Sequence, residues 1–231
     1  MSWTKKFFGS SIGRKYAMAA SALFLIIFLL QHFAINFTSV FAPEIFNDLS
    51  HFMGTNPVVQ FALQPILIFG VIFHFVMGFA LDVKNKAART VPYAQYNGAA
   101  NASWVSRNMI LTGLVVLAFM ALHFYDFWIH EIGVKYVKGD FSGLNAQGEF
   151  RYYEEVVKKF EDLWRVVLYC ISFVLLSLHL RHGFQSAFQS VGVNHNKYTP
   201  LIKKLGNIYS IGIPVGFIFI ALFHFISNTL S

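Results

Sequence analysis

The chain has 231 residues, of which 56% are hydrophobic and only 13% are charged, with a formal net charge of +7. Soluble domains carry about 25% charged residues, and a water-soluble fold of this size could not bury so much apolar surface. The composition excludes a soluble or disordered protein and predicts an integral membrane protein.

Five apolar stretches are each long enough to cross a bilayer, which takes about 20 residues of helix. They lie at about 16–41, 58–82, 106–130, 162–186 and 206–229. The first stretch is too long for a cleavable signal peptide, and no small-residue cleavage site follows it. We therefore predict an all-α membrane protein with five transmembrane helices, forming one domain over residues 1–231.

Charged residues between the stretches divide unequally between the two sides of the membrane. The side on which the chain starts has a single acid, Asp82, and the other ten acids fall on the opposite side. Basic residues on the first side are Lys5, Lys6, Arg14, Lys15, Lys84, Lys86, Arg89, Arg107, Arg181, Lys197, Lys203 and Lys204. The positive-inside rule places the N-terminus in the cytoplasm and the C-terminus outside. A basic inner face also fits anionic lipid or an acidic partner protein.

The longest connection covers about residues 131–161 on the predicted outer side and is rich in Lys and Glu. Two acid–base pairs, Glu154/Lys158 and Glu155/Lys159, have the i,i+4 spacing of a helix. We expect an interfacial helix in this segment, and nothing in it is typical of a catalytic site.

Four histidines lie inside the first four stretches, where an ionisable side chain is costly and usually functional. They are His32, His74, His123 and His179, each about 16 residues from the point where its helix enters the membrane. Since successive helices run in opposite directions, the first and third fall in the outer leaflet and the second and fourth in the inner leaflet. At 1.5 Å per residue, the two levels lie about 15 Å apart.

This arrangement is typical of two bis-histidine haems stacked across a membrane. A haem iron takes one imidazole from each side of the porphyrin, and helices in a bundle can present facing histidines at one height. The single cysteine, Cys170, excludes a cysteine-ligated iron–sulfur cluster, and no CxxCH motif is present for covalent haem attachment. We predict two non-covalent b haems, with two ligands at the inner level and two at the outer level.

Small residues at helical spacing from the histidines would give a flat ring access to the backbone. Gly78 and Gly183 each follow a histidine by four residues, on the same helix face. Ser21 and Thr112 each lie eleven residues before one of the other two histidines, and the small residues Ala22 and Gly113 lie ten residues before, near the inner level. The shared pattern suggests a weak internal duplication.

Simpler interpretations remain for single residues, because a lone histidine or small residue in a membrane helix often serves packing alone. His182 is an alternative fourth ligand, and we prefer His179 because of its depth and its glycine. His51 and His130 lie near the outer ends of helices, in contact with a quinone or only with water. His224 is expected to be a packing residue.

Short motifs lie along nearly the whole chain in a specific order and spacing. They are Ser10-Ser11-Ile12-Gly13-Arg14-Lys15, Gln31-His32, Asn36, Phe46-Asn47, His51-Phe52-Met53, His74 with Gly78, Thr112-Gly113 with His123, and His179 with Gly183. With these motifs in a five-helix setting, the sequence resembles the di-haem cytochrome b558 membrane subunits of succinate:quinone oxidoreductases. This family is shared with bacterial quinol:fumarate reductases.

The resemblance implies five helices, four of which enclose two b haems. It implies that His74 and His179 ligate the haem nearer the cytoplasm. It implies that His32 and His123 ligate the haem farther from it. It also implies a complex in a bacterial cytoplasmic membrane, with a flavoprotein that holds FAD and the dicarboxylate site, and an iron–sulfur protein on the cytoplasmic face. Dimerisation of that complex stays open.

The implied role is electron transfer between the iron–sulfur partner and membrane quinone, in either direction, with no dicarboxylate chemistry on this chain. Menaquinone is the expected quinone. Its low potential disfavours succinate oxidation unless the membrane potential helps, by about 2.3 kcal/mol per charge per 100 mV. Some fumarate reductase relatives carry a Glu for proton transfer two residues before the fourth ligand, where this chain has Ser177.

Haem propionates need cationic or hydroxyl partners near the inner level. Residues at a suitable depth are Ser10, Ser11, Arg14, Arg107 and Arg181. Each is explained equally well as a charge that sets the orientation in the membrane or as a helix cap.

A quinone pocket near the outer haem needs aromatic walls and one or two hydrogen-bonding groups. Residues after the third histidine supply this chemistry: Tyr125, Asp126, Trp128 and His130. A simple interfacial aromatic belt would have the same composition.

Two other functions stay open. One is a di-haem cytochrome b subunit of a hydrogenase, nitrate reductase or formate dehydrogenase, which a copurifying flavoprotein with FAD would exclude. The other is a haem-free channel or transporter, although Pro65 and Pro214 are isolated and do not form the paired helix breaks that transporters favour. A redox difference spectrum without b-type bands would favour this second function.

Overall fold

The computed structural model describes residues 9–88 and 107–230. Within them the chain is helical and has no β-strand. Five long helices, each apolar enough to cross a membrane, are α1 (Ser11–Thr38), α3 (Val59–Ala87), α4 (Met109–Val137), α6 (Leu163–Ser190) and α7 (Thr199–Leu230). Two shorter helices are α2 (Pro43–Thr55) and α5 (Tyr152–Lys159). The predicted all-α fold with five membrane helices is confirmed.

Two ends of the bundle differ in charge. We call the end where α1 begins the basic face, and the end that carries α2 and α5 the acidic face. Three of the twelve basic residues that predicted the topology, Lys5, Lys6 and Arg89, lie outside the described residues.

Some helices extend beyond the apolar stretches that predicted them. α1 begins at Ser11 rather than residue 16, because Ser10 accepts a hydrogen bond from the Gly13 N–H at 2.9 Å and caps the helix. α7 begins at Thr199 rather than residue 206. Hydropathy marks only the apolar core of a membrane helix, whereas the backbone stays hydrogen-bonded into the polar interface.

Two helices contain wide π-helical turns. In α3 the first turn is Val59–Leu63, and in α4 the segments Phe124–Ile129 and Gly133–Val137 are π-helical. A π turn holds more residues than an α turn and is frequent at functional sites. The first π turn of α4 directly follows His123 and contains Asp126, which is 1% exposed.

Glycines allow α7 to approach its neighbours closely. The ring of Phe33 on α1 lies against Gly216, and the ring of Phe184 on α6 lies against Gly206. Small residues let membrane helices pack without a hydrophobic driving force between them. The fifth membrane helix is therefore packed directly against the bundle formed by the others.

The segment after α4 folds over the acidic face through a buried ionic network. Glu131 contacts Lys135 at 2.9 Å and Arg151 at 2.6 Å. Lys135 also donates to the Gly54 carbonyl, and Arg151 pairs with Glu155. Burial lowers the pKa of Arg151, but its hydrogen bond to Glu131 and the charge of Glu155 outweigh burial, so the pKa is raised. The network ties α2, α4 and α5 together.

The segment contains the predicted helix, α5, and its position at the membrane interface stays a prediction. Glu154 and Glu155 contact residues other than the lysines four positions later in the helix. Glu154 accepts a hydrogen bond from the Asn145 side chain at 2.9 Å, and Glu155 also contacts His130 at 3.2 Å. The acidic side chains thus hold α5 to the loop before it and to α4.

Candidate functional site

One pair of histidines lies in the half of the bundle nearer the basic face. The ring centres of His74 on α3 and His179 on α6 are 6.4 Å apart, and the ring planes meet at 76°. The Nδ1 of His74 lies 3.1 Å from the Ser21 hydroxyl of α1. The Nδ1 of His179 lies 3.3 Å from the Thr112 hydroxyl of α4. We call these two histidines the inner pair.

The other two histidines form the outer pair, nearer the acidic face. The ring centres of His32 on α1 and His123 on α4 are 5.8 Å apart, with planes at 82°. The amide nitrogen of Asn36 lies 3.4 Å from both ring nitrogens of His32. The Nδ1 of His123 is buried and has no hydrogen-bond partner among the described residues.

Aromatic rings enclose the outer pair. Phe28 stacks on His32 and Phe119 stacks on His123, at 5.4 and 5.8 Å between ring centres. Phe217 of α7 lies 5.8 Å from His32. The fifth membrane helix therefore contributes to this site, which the expectation of a four-helix enclosure did not include.

Both pairs have the spacing of two imidazoles that share one metal ion. Metal–nitrogen bonds of about 2.0 Å place such rings about 6 Å apart between centres. Within residues 9–88 and 107–230, no group of three or more His, Cys, Asp or Glu could hold a metal ion. Two facing imidazoles suit a ligand that supplies the other metal ligands itself, as a porphyrin does.

A largely apolar cavity surrounds the outer pair. Val156 and Phe160 line it at the end nearer the acidic face. Aromatic walls are supplied by Phe28, Phe119, Phe127, Phe173 and Phe217, and polar groups by Asn36, Gln64, Trp128 and Tyr169. A flat apolar ligand with a few polar atoms suits such walls.

The two predicted glycines lie beside flexible side chains. A Cβ atom at Gly78 would lie 3.5 Å from the methyl group of Met18, and one at Gly183 would lie 3.5 Å from the methyl group of Met109. Methionine is unbranched and adapts its shape to neighbours. The space beside each glycine is thus bounded by a group that can move for a flat ring.

Among the residues predicted near haem propionates, Arg14 has the most suitable surroundings. Its side chain is half-buried, and its Nε is buried without a hydrogen-bond partner among the described residues. Ser11, Arg107 and Arg181 are exposed. An anionic group beside Arg14 would complete its hydrogen bonding.

The four residues predicted near a quinone do not converge. Trp128 lines the cavity. Tyr125 is 64% exposed, and His130 contacts Glu155 near the surface. Asp126 is buried and faces α6. Of the four, only Trp128 reaches the cavity.

A buried carboxylate network beside the outer pair was not predicted. Asp126 Oδ2 accepts hydrogen bonds from the Tyr169 hydroxyl and from Arg165 Nε, both at 3.0 Å. Lys159 lies 3.7 Å from Oδ1. Arg165 and Tyr169 are four residues apart on one face of α6, and this spacing was the available signal.

Other histidines have structural partners. His179, rather than its alternative His182, faces His74. His51 stacks on Phe150 with ring centres 4.1 Å apart. His224, expected to be a packing residue, is 1% exposed, and its Nε2 lies 2.9 Å from the Ser39 hydroxyl.

The sequence is similar to one characterised membrane protein over part of its length. It is 33% identical over 103 residues to the succinate dehydrogenase cytochrome b558 subunit of Bacillus subtilis (strain 168). The match covers 43% of this chain and 46% of the relative, so the chain spans about half the length of the protein it matches. No family model and no solved structure matches. The match supports the resemblance to the cytochrome b558 family.

Proposed function

We propose that this chain is the membrane subunit of a succinate:quinone oxidoreductase and passes electrons between an iron–sulfur partner and membrane quinone. One observation carries the proposal: two facing histidine pairs, at 6.4 and 5.8 Å, lie in a bundle of membrane helices. The cytochrome b558 name of the Bacillus relative supports it. When bound, two b haems would supply one-electron transfer between the faces of the membrane.

In this proposal the histidines hold the two rings. His74 and His179 each give one ring nitrogen to the inner haem. His32 and His123 do the same for the outer haem, inside the aromatic cage. Arg14 would hold a propionate of the inner haem, since its Nε lacks a partner among the described residues.

The basic face is proposed to be cytoplasmic and to bind the partner subunits. The basic excess on this face supports that orientation. A flavoprotein with FAD would act on the dicarboxylate, and an iron–sulfur protein would contact this chain. The residues of this chain would anchor both partners and would not act on succinate or fumarate.

The quinone is proposed to bind at the acidic end of the cavity, with menaquinone as the first candidate. Trp128 supplies an aromatic wall there, and Gln64 supplies a hydrogen-bonding amide. Val156 and Phe160 add apolar lining. This placement replaces Tyr125 and His130, which lie away from the cavity, with Gln64.

The test is a pyridine haemochrome assay on the purified complex, with the haem-to-protein ratio measured for each variant. We expect two b haems per chain. His74→Ala or His179→Ala should remove the inner haem, and His32→Ala or His123→Ala should remove the outer one.

The exposed loop histidine provides a matched control, because His195→Ala should retain both haems. A wild-type complex without haem, or four variants that all keep two haems, would contradict the proposal. Copurification of a flavoprotein with bound FAD would separate this function from that of a hydrogenase or nitrate reductase subunit.

A further inference from the structure

The two inner histidines have matching surroundings although they lie in different halves of the chain. On α1 and α4 a methionine precedes a hydroxyl residue by three positions: Met18 with Ser21, and Met109 with Thr112. Each hydroxyl lies beside the Nδ1 of an inner histidine. Each methionine methyl group lies beside the glycine that follows that histidine by four residues.

The direction of these hydrogen bonds follows from the helix backbone. The Ser21 hydroxyl donates to the Met18 carbonyl at 2.8 Å, and the Thr112 hydroxyl donates to the Met109 carbonyl at 3.0 Å. A hydroxyl has one proton and two acceptor positions. Because that proton is already used, each hydroxyl can only accept from the imidazole, which must carry its proton on Nδ1.

A proton on Nδ1 leaves the Nε2 lone pair available for a metal. Ser21 is 9% exposed and Thr112 is 1% exposed, so water does not compete for these bonds. In a low-dielectric interior such a bond holds the ring strongly. The outer pair differs, because His123 Nδ1 has no partner among the described residues and the group beside His32 is an amide nitrogen, which donates.

We propose that Ser21 and Thr112 are positioning residues for the inner haem, through His74 and His179. By accepting from Nδ1–H they fix the tautomer and ring rotation and make each imidazole a stronger electron donor to iron. Stronger donation favours the oxidised metal and lowers the midpoint potential of the inner haem. This inference rests on the proposed function, which places a haem at the inner pair.

The test is a redox titration of the purified complex, followed at the b-haem absorption bands. Ser21→Ala and Thr112→Val remove the two acceptors. In the double variant we expect the ratio of reduced to oxidised inner haem to rise about tenfold at a fixed ambient potential, or about 59 mV for a one-electron couple. The outer haem should keep its midpoint.

Conservative variants separate positioning from a general effect on folding. Ser21→Thr and Thr112→Ser keep the hydroxyls and should retain the wild-type midpoints. Ser172→Ala is the matched control, because this hydroxyl also donates to a backbone carbonyl, that of Leu168 at 2.7 Å, through an exposed hydrogen bond. The substitution is expected to leave both potentials unchanged.

The outcomes distinguish the two proposals. Unchanged midpoints in a double variant that holds both haems would overturn the positioning role and leave the proposed function intact. Equal shifts of both haems, or the same shift in Ser172→Ala, would also overturn it. Selective loss of the inner haem in the double variant, with retention in the Ser21→Thr and Thr112→Ser variants, would support it. A wild-type complex without haem would overturn the proposed function itself.

Discussion

Asp126 is a buried charge whose partners lie on two other elements. Its carboxylate is fully enclosed and faces Arg165, Tyr169 and Lys159. Removing one member of a buried ion pair costs about 3–5 kcal/mol, because the remaining charge stays desolvated. Arg165 keeps a second partner in Asp162, at 2.6 Å, which reduces this cost.

We therefore expect Asp126→Asn to lower the free energy of unfolding by about 2 kcal/mol. The measurement is denaturant unfolding of the purified protein in detergent. Asp162→Asn is the control: this carboxylate is 53% exposed, and a surface pair is worth less than about 1 kcal/mol. Equal losses in the two variants would show that burial of Asp126 is not the cause.

Residue positions were predictable from sequence where helix geometry alone decides them. The depths of His74 and His179 follow from counting along each helix, and the structure brings the two rings together. The contact between Ser39 and His224 joins positions 185 residues apart, and no local pattern indicates it. The sequence identifies Ser21 only as a small residue, because the partner of its hydroxyl, His74, lies on another helix.

At the scale of helices, Gly216 sets the distance between α1 and α7. A Cβ atom there would overlap the ring of Phe33, which also packs against Phe217 at 5.2 Å between ring centres. Overpacking of a tight interface costs about 1–3 kcal/mol. We expect Gly216→Ala to reduce the free energy of unfolding by this amount and to shift the ring of Phe217 beside the outer pair.

The same helix offers a matched control one turn earlier. A Cβ atom at Gly212 has no neighbour within 4 Å. Gly212→Ala should be neutral or stabilise the helix by up to about 1 kcal/mol, since alanine is the better helix former. Thermal unfolding of both variants in the same detergent provides the comparison, and similar midpoints would contradict the proposed overlap.

Helix existence was predictable, but helix ends and internal irregularities were not. The apolar stretches identify all five membrane helices, because only a bilayer requires runs of this length. The N-terminal extension of α7 crosses Lys203 and Lys204, which hydropathy assigns to a loop. The π turns of α3 and α4 have no composition signal, since they arise from tertiary packing rather than from local propensity.

At the scale of the whole molecule, the charge difference between the two faces predicts the orientation in the membrane. We expect a membrane-impermeant maleimide to label Gln147→Cys in intact cells, because this residue is exposed on the acidic face. Asn194→Cys, exposed on the basic face, should be labelled only after the membrane is opened. Both variants are made in a Cys170→Ser background.

Labelling of Asn194→Cys in intact cells, with protection of Gln147→Cys, would reverse the topology and move the proposed partner subunits to the other side. The orientation can be predicted from sequence because it depends on loop composition, and it stays a prediction until the labelling is done. The folding of the segment after α4 over the acidic face cannot be predicted in this way. It depends on side-chain contacts such as that of Glu131 with Arg151, which join segments separated by an irregular loop.

The π turn Phe124–Ile129 separates two parts of α4 that face different neighbours. It sets the rotation of the part after the turn relative to the part that carries His123. Each residue of an α-helix advances the direction of its side chain by about 100°. If Phe124–Ile129 were wound as an α-helix with no residue removed, the rest of the helix would be rotated by about that angle. Glu131 would then lie away from Arg151, and the segment that folds over the acidic face would lose this contact although no side chain had changed.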